Sequence, residues 1–406
     1  DEYNKTTRGI QAILGDAVNN HTGLRALGAG WSFTSIAATS GIMLNTKLLN
    51  SLFTISAATI SPAYKGDATQ LLFAQSGNGI WELEDYLAKN GRALKGCGAS
   101  NGQTVAGAMS TGTHGSAFNF GATQDYITGI HLIVSATRSV YLERKSYPVV
   151  SAAFIANLQA ELIQDDDLFN AALVSFGSFG FIHGVMIETE PLYLLECYRL
   201  RMPVDDKLMH VMQTLDFSDI ALPCGKEVPY HFQTVINPYD VDGGAFVTVM
   251  YKRPYKAGYP PPVHNNEGIG PGDDAPCFVG KLAQAVPALV PKLVTQLVNS
   301  NYAPYPKQLG TLGEIFDNTV AHGKVLSTAM GIPIDQVAKA YQVLLDLNKA
   351  KGPFVGVLSF RYAKQSAGTL AFTRFAPTCI LELDSVKSPD CYRFYKACWT
   401  ALDKQK

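Results

Sequence analysis

The sequence is poor in charged residues and in patterned cysteines, and each shortage excludes a class of function. Only 17% of the 406 residues are charged, and the formal net charge is -1. That balance supplies neither the basic surface that nucleic acid requires nor a polybasic patch for an anionic membrane. The seven cysteines are odd in number and form no Cys-x-x-Cys, which argues against a disulfide framework and against a metal site. Reduced cysteines and the absence of a visible signal peptide lead us to expect a cytoplasmic protein.

Long apolar runs are also missing. The longest candidate for a membrane span covers residues 282–298 and is interrupted by Pro287, Pro291 and Lys292. A spanning helix needs about 20 predominantly apolar residues, so we expect no membrane segment. The chain is too long for one ordinary hydrophobic core, which predicts two domains.

The organisation of the chain changes near Pro191. Before it, short apolar strands such as residues 71–75 alternate with helical stretches such as residues 80–88, a mixture typical of an α+β domain. After it, aromatic strand-like runs at residues 230–236 and 244–251 predict an antiparallel sheet. A loop rich in proline and glycine spans residues 254–276.

Two glycine-dense loops carry the strongest functional signal. The first is Gly28-Ala29-Gly30-Trp31-Ser32-Phe33, and the second extends over residues 96–102 and 112–116. Glycine lets the backbone approach a ligand closely, so the loops suggest backbone amides that converge on a phosphate-bearing cofactor. Neither loop has the spacing of the usual dinucleotide or P-loop motifs. The alternative is that these glycines only turn tight corners between strands.

Three segments in order resemble one family. Residues 25–33 resemble the first FAD-binding loop of the vanillyl-alcohol oxidase superfamily (PCMH-type FAD-binding proteins), in its aldonolactone and alditol oxidase branch. Residues 103–116 are similar to the second loop, and residues 173–182 to the segment that holds the adenine end of FAD. The resemblance implies an α+β fold with a two-subdomain FAD-binding domain over residues 1–190. It also implies an α+β cap domain with an antiparallel sheet over residues 191–385, and a C-terminal segment, 386–406, that returns toward the FAD-binding domain.

The same resemblance assigns residues to the cofactor. The glycine-dense stretches at residues 28–33, 96–102 and 112–116 contain no Lys or Arg, so backbone N–H groups and the hydroxyls of Ser32, Thr111 and Thr113 would have to donate to the diphosphate. The candidate FAD-binding residues are Ala26, Leu27, Gly28, Ala29, Gly30, Trp31, Ser32, Phe33, Ala99, Ser100, Gly102, Thr104, Gly107, Thr111, Thr113, His114, Gly115 and Ile182.

Departures from the family pattern concern the attachment of the flavin. Many relatives carry, at the position of Trp31, a histidine bonded covalently to the flavin. Tryptophan offers no comparable nucleophilic nitrogen, so the expected FAD is non-covalent. Trp31 would either stack beside the flavin ring or serve as a core aromatic. Some relatives attach flavin through a cysteine, but the spacing of Cys97 does not match theirs, so we expect a small buried thiol. His114 would belong to the cofactor cradle rather than to catalysis.

The expected catalytic residues lie in the cap. Leu358-Ser359-Phe360-Arg361 falls where relatives carry a Glu-x-Arg pair that faces the flavin, with Arg361 retained and Ser359 in place of the glutamate. A guanidinium there would stabilise negative charge on reduced flavin or on a developing alkoxide. The alternative is an arginine on a strand that pairs with a surface carboxylate.

These residues predict a function. We expect an FAD-dependent oxidoreductase that removes hydride from a CH–OH group of a small substrate, such as an aldonolactone or polyol. Oxygen or another acceptor would reoxidise the flavin. Loss of the cap glutamate leaves two alternatives open: oxidation of a C–N bond or of a hydrophobic alcohol, and a flavin-binding relative without turnover.

Overall fold

The computed structural model describes residues 1–263, 275–319 and 325–404. It is 33% helical and 28% strand, which confirms the predicted α+β class. The helices are α1 Glu2–Asn19, α2 Ile80–Lys89, α3 Val105–Thr111, α4 Ala152–Leu158, α5 Asp166–Leu173, α6 Asp206–Thr214, α7 Ala275–Ala285, α8 Val290–Asn301, α9 Leu312–Ile315, α10 Val337–Lys351 and α11 Pro389–Asp403. The strands are β1 Leu24–Leu27, β2 Ile42–Asn45, β3 Leu52–Thr54, β4 Leu71–Gln75, β5 Arg92–Ala93, β6 Ile127–Ile133, β7 Ser139–Glu143, β8 Glu161–Gln164, β9 Phe181–Glu188, β10 Glu190–Pro191, β11 Tyr193–Met202, β12 His231–Ile236, β13 Ala245–Pro254, β14 Tyr305–Gly310, β15 Val325–Pro333, β16 Gly356–Ala363 and β17 Thr378–Val386.

The first half of the chain is built on a six-stranded sheet. Its strand order is β3-β4-β9-β6-β7-β8, antiparallel except for the parallel pair β7–β8. Strands β1 and β2 form a separate parallel pair, and β5 pairs with β10. Because β1 ends at Leu27, the first glycine loop begins at the edge of this small sheet.

The second half is built on a seven-stranded sheet, here called the cap sheet. Its strand order is β14-β11-β13-β12-β16-β17-β15, and every neighbouring pair is antiparallel, as predicted. Consecutive residues of a strand face opposite sides of the sheet. Phe232, Phe360 and Leu381 therefore share one face, where they join a core to which α6, α10 and α11 contribute.

The opposite face of the cap sheet is polar near its middle. Directly opposite residues in antiparallel strands share a face, and the register places Gln233 opposite Arg361 and Ser359 opposite Glu382. We call this surface, defined by Gln233, Ser359, Arg361, Glu382 and Asp384, the polar face. Helix α8 packs on part of this same side, where Asn237 Nδ2 donates to the Thr295 hydroxyl and Phe246 contacts the ring of Tyr302, which directly follows α8.

Several predicted elements occur with nearly the expected bounds. The strand at residues 71–75 is β4, and the helix expected at residues 80–88 is α2. Asp165 caps α5 by accepting a hydrogen bond from the N–H of Leu168, which fixes the start of this helix. Residues 264–274 of the proline- and glycine-rich loop lie outside the described residues.

The C-terminal helix differs from expectation. We expected residues 386–406 to return toward the FAD-binding half, but α11 packs on the cap sheet. Its buried residues, Cys391, Phe394, Tyr395 and Cys398, have the i, i+3, i+4, i+7 spacing of one helix face, and Phe394 stacks on Phe354. Burial of this stripe fixes the helix against the cap core. Among the described residues, no helix has the length and hydropathy to cross a membrane.

Candidate active site

The first glycine loop presents its backbone to solvent. Gly30 has φ of 78° and Phe33 has φ of 51°, in the left-handed region that a bulky residue rarely adopts. The N–H groups of Ala29, Gly30, Trp31 and Ser32 have no hydrogen-bond acceptor within the described chain. A Cβ on Gly30 would meet no atom within 4 Å. The loop therefore offers unpaired donors beside open space, as a backbone cradle for an anion does.

The second glycine run folds against the first. Thr104 caps α3 by accepting a hydrogen bond from the N–H of Gly107, and a Cβ on Gly28 would lie 2.3 Å from its hydroxyl. A Cβ on Gly102 would lie 2.5 Å from the ring of Trp31. Only glycine allows the two loops to approach this closely. Trp31 is therefore a half-buried residue that packs between the loops, and it belongs to none of the buried core clusters.

The third segment completes the arrangement. The N–H of Phe176 donates to the carbonyl of Ser110, the second-last residue of α3. Phe176 has φ of 52°, and Phe176 and Phe179 are 41% and 37% exposed. Exposed aromatic rings held in an unusual backbone conformation are expected where a loop contacts a ligand. Ile182 differs, because its side chain lies in the core and its backbone belongs to β9.

The structure thus brings together most of the predicted cofactor residues. Gly28 lies against Thr104 and Trp31 against Gly102, and Ser110 bonds to the third segment, whereas Ala99 is exposed and Ser100 accepts a hydrogen bond from the side chain of Asn318. The donors available here are backbone amides, with no lysine or arginine in the loops. Such a donor set fits a dinucleotide diphosphate, which can be held by converging N–H groups without a basic side chain.

Ser116 attaches the end of the second glycine run to the cap sheet. Strands β12 and β16 pair as far as Gln233 and Arg361. Beyond that pair, the Ser116 hydroxyl donates to the carbonyl of Phe232 and accepts from the N–H of Tyr362, 2.9 Å away. The N–H of Phe232 also donates to the carbonyl of Ser116. Because Ser116 is fully buried, these bonds hold the neighbouring His114 over the polar face.

Three ionisable side chains meet at this junction. Arg361 Nε lies 2.9 Å from Glu382 Oε2, although the two atoms are not aligned for a hydrogen bond. Glu382 Oε1 lies 3.5 Å from His114 Nε2. The side chains of Arg361 and Glu382 are each 12% exposed, and that of His114 is 7% exposed. Charges this well buried interact more strongly than at the surface, so the cluster is electrostatically coupled.

The protonation states follow from burial and neighbours. Burial lowers the pKa of Arg361, but Glu382 and Asp384 outweigh it, so the pKa is raised and the guanidinium stays charged. Burial and the positive charge of Arg361 lower the pKa of His114 to about 4, so its ring is neutral at pH 7. Burial and the charge of Glu382 raise the pKa of Asp384 to about 6. Burial and Arg361 lower the pKa of His231 to about 3.

Glu382 is the residue that sequence reasoning missed. The pattern search looked for a carboxylate two residues before Arg361 and found Ser359, whose hydroxyl accepts a hydrogen bond from Gln233 Nε2 at 3.3 Å. Glu382 lies on the next strand, directly opposite Ser359. Residues opposite each other in antiparallel strands have Cβ atoms roughly 5 Å apart. Glu382 could be found from the sequence only if the pairing of β16 with β17 were already known.

Cys97 and two buried histidines take structural positions. The Cys97 thiol donates to the carbonyl of Gly98, and burial together with the nearby Glu84 raises its pKa, so it is the inert buried thiol expected. His131 and His183 lie in a buried cluster with Tyr3. His264 lies outside the described residues. Within residues 1–263, 275–319 and 325–404, no group of three or more His, Cys, Asp or Glu could hold a metal ion.

Comparison with known proteins agrees with this geometry. Residues 3–139 match the family model of the FAD binding domain. A putative D-arabinono-1,4-lactone oxidase of Neurospora crassa is 27% identical over 46% of this chain, and a D-arabinono-1,4-lactone oxidase of Debaryomyces hansenii is 26% identical over 47%. These matches span only 28% and 32% of those relatives. An L-gulono-1,4-lactone dehydrogenase of Mycobacterium tuberculosis is 21% identical over 96% of this chain and 81% of its own length.

A solved structure shares the fold. A His121Ala mutant of cholesterol oxidase from Brevibacterium sterolicum superposes with a TM-score of 0.68 at 13% identity, covering 96% of this chain and 77% of the other. The likeness therefore extends over both sheets. FAD is the cofactor that the family match supports. Taken with the lactone oxidase and lactone dehydrogenase relatives, the match supports the resemblance of the chain to PCMH-type FAD-binding proteins of the aldonolactone oxidase branch.

Proposed function

We propose that the chain is an FAD-dependent oxidoreductase that oxidises a CH–OH group of a small polyhydroxylated substrate such as an aldonolactone or a polyol. The observation that carries this proposal is the buried Arg361–Glu382–His114 cluster, enclosed between the second glycine run and the polar face of the cap sheet. The names of the lactone oxidase and lactone dehydrogenase relatives support the same reaction class.

The chain's residues would divide the work. When bound, FAD accepts the hydride that leaves the substrate carbon. The first and second glycine loops would hold its diphosphate through the unpaired N–H groups of residues 29–32. Arg361, fixed by Glu382, would stabilise negative charge that develops on the substrate oxygen or on the reduced cofactor. Gln233, positioned by its hydrogen bond to the fully buried Ser359, would supply a further hydrogen bond to a substrate hydroxyl.

The polar face also bears on the choice among substrates. Glu382, Asp384 and Arg361 present charged groups where the substrate would lie, and an apolar alcohol could not bond to the oxygens and N–H groups that the Arg361–Glu382 pair leaves unused. A polyhydroxylated molecule can satisfy both carboxylates and the guanidinium. This contrast favours a sugar-derived substrate over a hydrophobic alcohol. An amine could pair with the carboxylates, so amines belong in the screen.

Reduction of the bound flavin tests the function. FAD-loaded protein would be mixed anaerobically with L-gulono-1,4-lactone, D-arabinono-1,4-lactone, xylitol or sorbitol while the loss of flavin absorbance is followed. We expect at least one of these to bleach the flavin within seconds. Reduction by dithionite alone, with no response to any of the four, would refute the proposed class. Faster reduction by amines or hydrophobic alcohols would replace it with the alternative reaction.

We further propose that FAD is held without a covalent bond. The indole of Trp31 offers no nucleophilic lone pair, and the Cys97 thiol is buried with a raised pKa. Acid precipitation should therefore release the yellow colour into the supernatant. Flavin that remains in the pellet would contradict this part of the proposal.

The acceptor and the cellular location are proposals of the same kind. We propose oxygen or another small acceptor for flavin reoxidation, to be separated by comparing the reoxidation rate in air with that in a dye such as dichlorophenolindophenol. We propose the cytoplasm as the location, because six cysteines among the described residues are free thiols. Localisation of a tagged full-length protein by microscopy tests it.

A further inference from the structure

The polar face carries its carboxylate on a different strand from the one that the family pattern suggests. Ser359 stands two residues before Arg361 on β16, where the resemblance leads one to expect glutamate. Glu382 stands directly opposite Ser359 on β17, and its carboxylate reaches Arg361 Nε at 2.9 Å. The sheet therefore keeps a carboxylate beside the arginine and a hydroxyl opposite it, with the two side chains exchanged between strands.

His114 faces the other oxygen of this carboxylate. His114 Nδ1 lies 3.0 Å from the carbonyl oxygen of Gly115, and a carbonyl can only accept, so Nδ1 carries the ring proton. In the neutral ring, Nε2 then has a lone pair, and Nε2 lies 3.5 Å from Glu382 Oε1. Two acceptors that face each other leave a position for a group that brings a proton between them.

The residues around His114 and Glu382 fix the position of the His114 ring and set the charge near it. Phe372 contacts the ring of His114 edge to face, with centroids 5.4 Å apart. Ser116 holds the loop of His114 through hydrogen bonds to both β12 and β16. The charged or titratable groups around the position are Arg361, Asp384, His231 and, from the end of α8, Tyr302. Of these, only Arg361 contributes a fixed positive charge, and it is already committed to Glu382 Oε2.

We propose that Glu382 and His114 form the acceptor pair for the substrate hydroxyl, so that Glu382 replaces residue 359 as the carboxylate of the reaction. This inference rests on the proposed function. The substrate O–H bond breaks and its proton passes to the pair, which shares it between Glu382 Oε1 and His114 Nε2. The C–H bond breaks with its electron pair, which leaves as hydride to FAD, and the carbonyl double bond forms. The site would therefore take a secondary or primary alcohol carbon that bears neighbouring hydroxyls.

The experiment compares Glu382→Gln with a matched control. Glu196 on β11 is also 12% exposed and also pairs with an arginine, Arg253 Nε at 3.0 Å, but it lies on the opposite face of the cap sheet. Each FAD-loaded protein would be reduced anaerobically with L-gulono-1,4-lactone, D-arabinono-1,4-lactone, xylitol and sorbitol. We expect Glu382→Gln to lose about 100-fold or more in reduction rate, the scale of a general base, and Glu196→Gln to stay within about threefold of the wild type.

An exchange variant guards against loss of folding. Ser359→Glu combined with Glu382→Ser returns the carboxylate to the strand that the family pattern suggests. We expect this exchange variant to retain FAD and to be reduced at least tenfold faster than Glu382→Gln. If Glu382→Gln retains FAD and reduces at the wild-type rate, the acceptor pair is refuted while the proposed function stands. If no substrate reduces the wild type, the proposed function fails, and the assignment fails with it.

A spectroscopic readout is independent of turnover. In the oxidised, FAD-loaded protein, His114 can be assigned in a ¹⁵N histidine spectrum by its absence from His114→Gln. In Glu382→Gln the new amide N–H can donate to Nε2, so we expect the Nε2 resonance to shift toward that of a hydrogen-bonded nitrogen. Glu196→Gln should leave it unmoved. An unshifted Nε2 resonance in Glu382→Gln would overturn the pairing itself.

Discussion

Replacement of Arg361 by alanine should separate a folding effect from a catalytic one. The guanidinium is buried, and its Nε lies 2.9 Å from Glu382 Oε2. Removing one partner of a buried ion pair typically costs about 3–5 kcal/mol of folding free energy, because the other charge stays buried without compensation. Removing a preorganised charge from the reacting oxygen typically costs about 3 kcal/mol of barrier, roughly 100-fold in rate.

A second substitution tells the two effects apart. In Arg361→Met combined with Glu382→Leu, neither member of the pair is left as an unpaired charge, and buried ion pairs replaced by apolar residues are often neutral in stability. We therefore expect this double variant to recover most of the unfolding free energy but none of the reduction rate. Urea denaturation of the FAD-loaded proteins measures the first quantity, and anaerobic stopped-flow reduction measures the second.

The control lies on the opposite face of the same sheet. Arg253 pairs with Glu196 at 3.0 Å and with Glu227 at 2.6 Å, and its side chain is 27% exposed. Arg253→Ala should lose some stability and leave the reduction rate within about threefold of the wild type, as expected for a partly exposed ion pair. Our reasoning is wrong if Arg361→Ala, with FAD retained, reduces as fast as Arg253→Ala.

Three other perturbations have outcomes that the structure determines. Gly102→Val would drive a side chain into the ring of Trp31, so it should lower FAD occupancy. The ratio of absorbance at 450 nm to that at 280 nm measures the occupancy. In the control Gly9→Ala, the added methyl group meets no atom within 4 Å, so the ratio should stay unchanged. Burial lowers the pKa of His183 to about 4 and that of His131, with help from His183, to about 3. The unfolded chain binds these protons below about pH 6.5, so the free energy of unfolding should not change with pH above that value on account of these rings. Below it, the free energy of unfolding should fall by up to about 1.4 kcal/mol per pH unit for each ring. If His183→Gln loses stability on acidification with the same slope as the wild type, this explanation is wrong. Cys97→Ser should still release its flavin on acid precipitation, whereas colourless protein with normal folding would assign Cys97 a direct role in holding FAD.

Glycine and alternation patterns made much of the fold predictable. The loop at residues 28–33 is visible in the sequence because close contact between loops requires several glycines within a short stretch. In the structure, Gly28 lies against Thr104 and Gly102 lies against Trp31. Strand β4 was read from a continuous apolar run, and all five of its residues are buried. Helix α11 was misplaced because its apolar stripe identifies one buried face without naming the surface that covers it.

The polar face was less predictable, for a reason that lies in the sheet. Arg361 is a candidate because of its place in a local motif, and the same motif suggests that its acidic partner is missing. Partners in a sheet are set by register between strands, and a single sequence does not state that Ser359 lies opposite Glu382. The sequence of β16 alone therefore suggests that Arg361 has no acidic partner, whereas the fold places the Glu382 carboxylate of β17 beside it. A residue that seems absent from a strand motif is best sought on the neighbouring strand before its chemistry is judged absent.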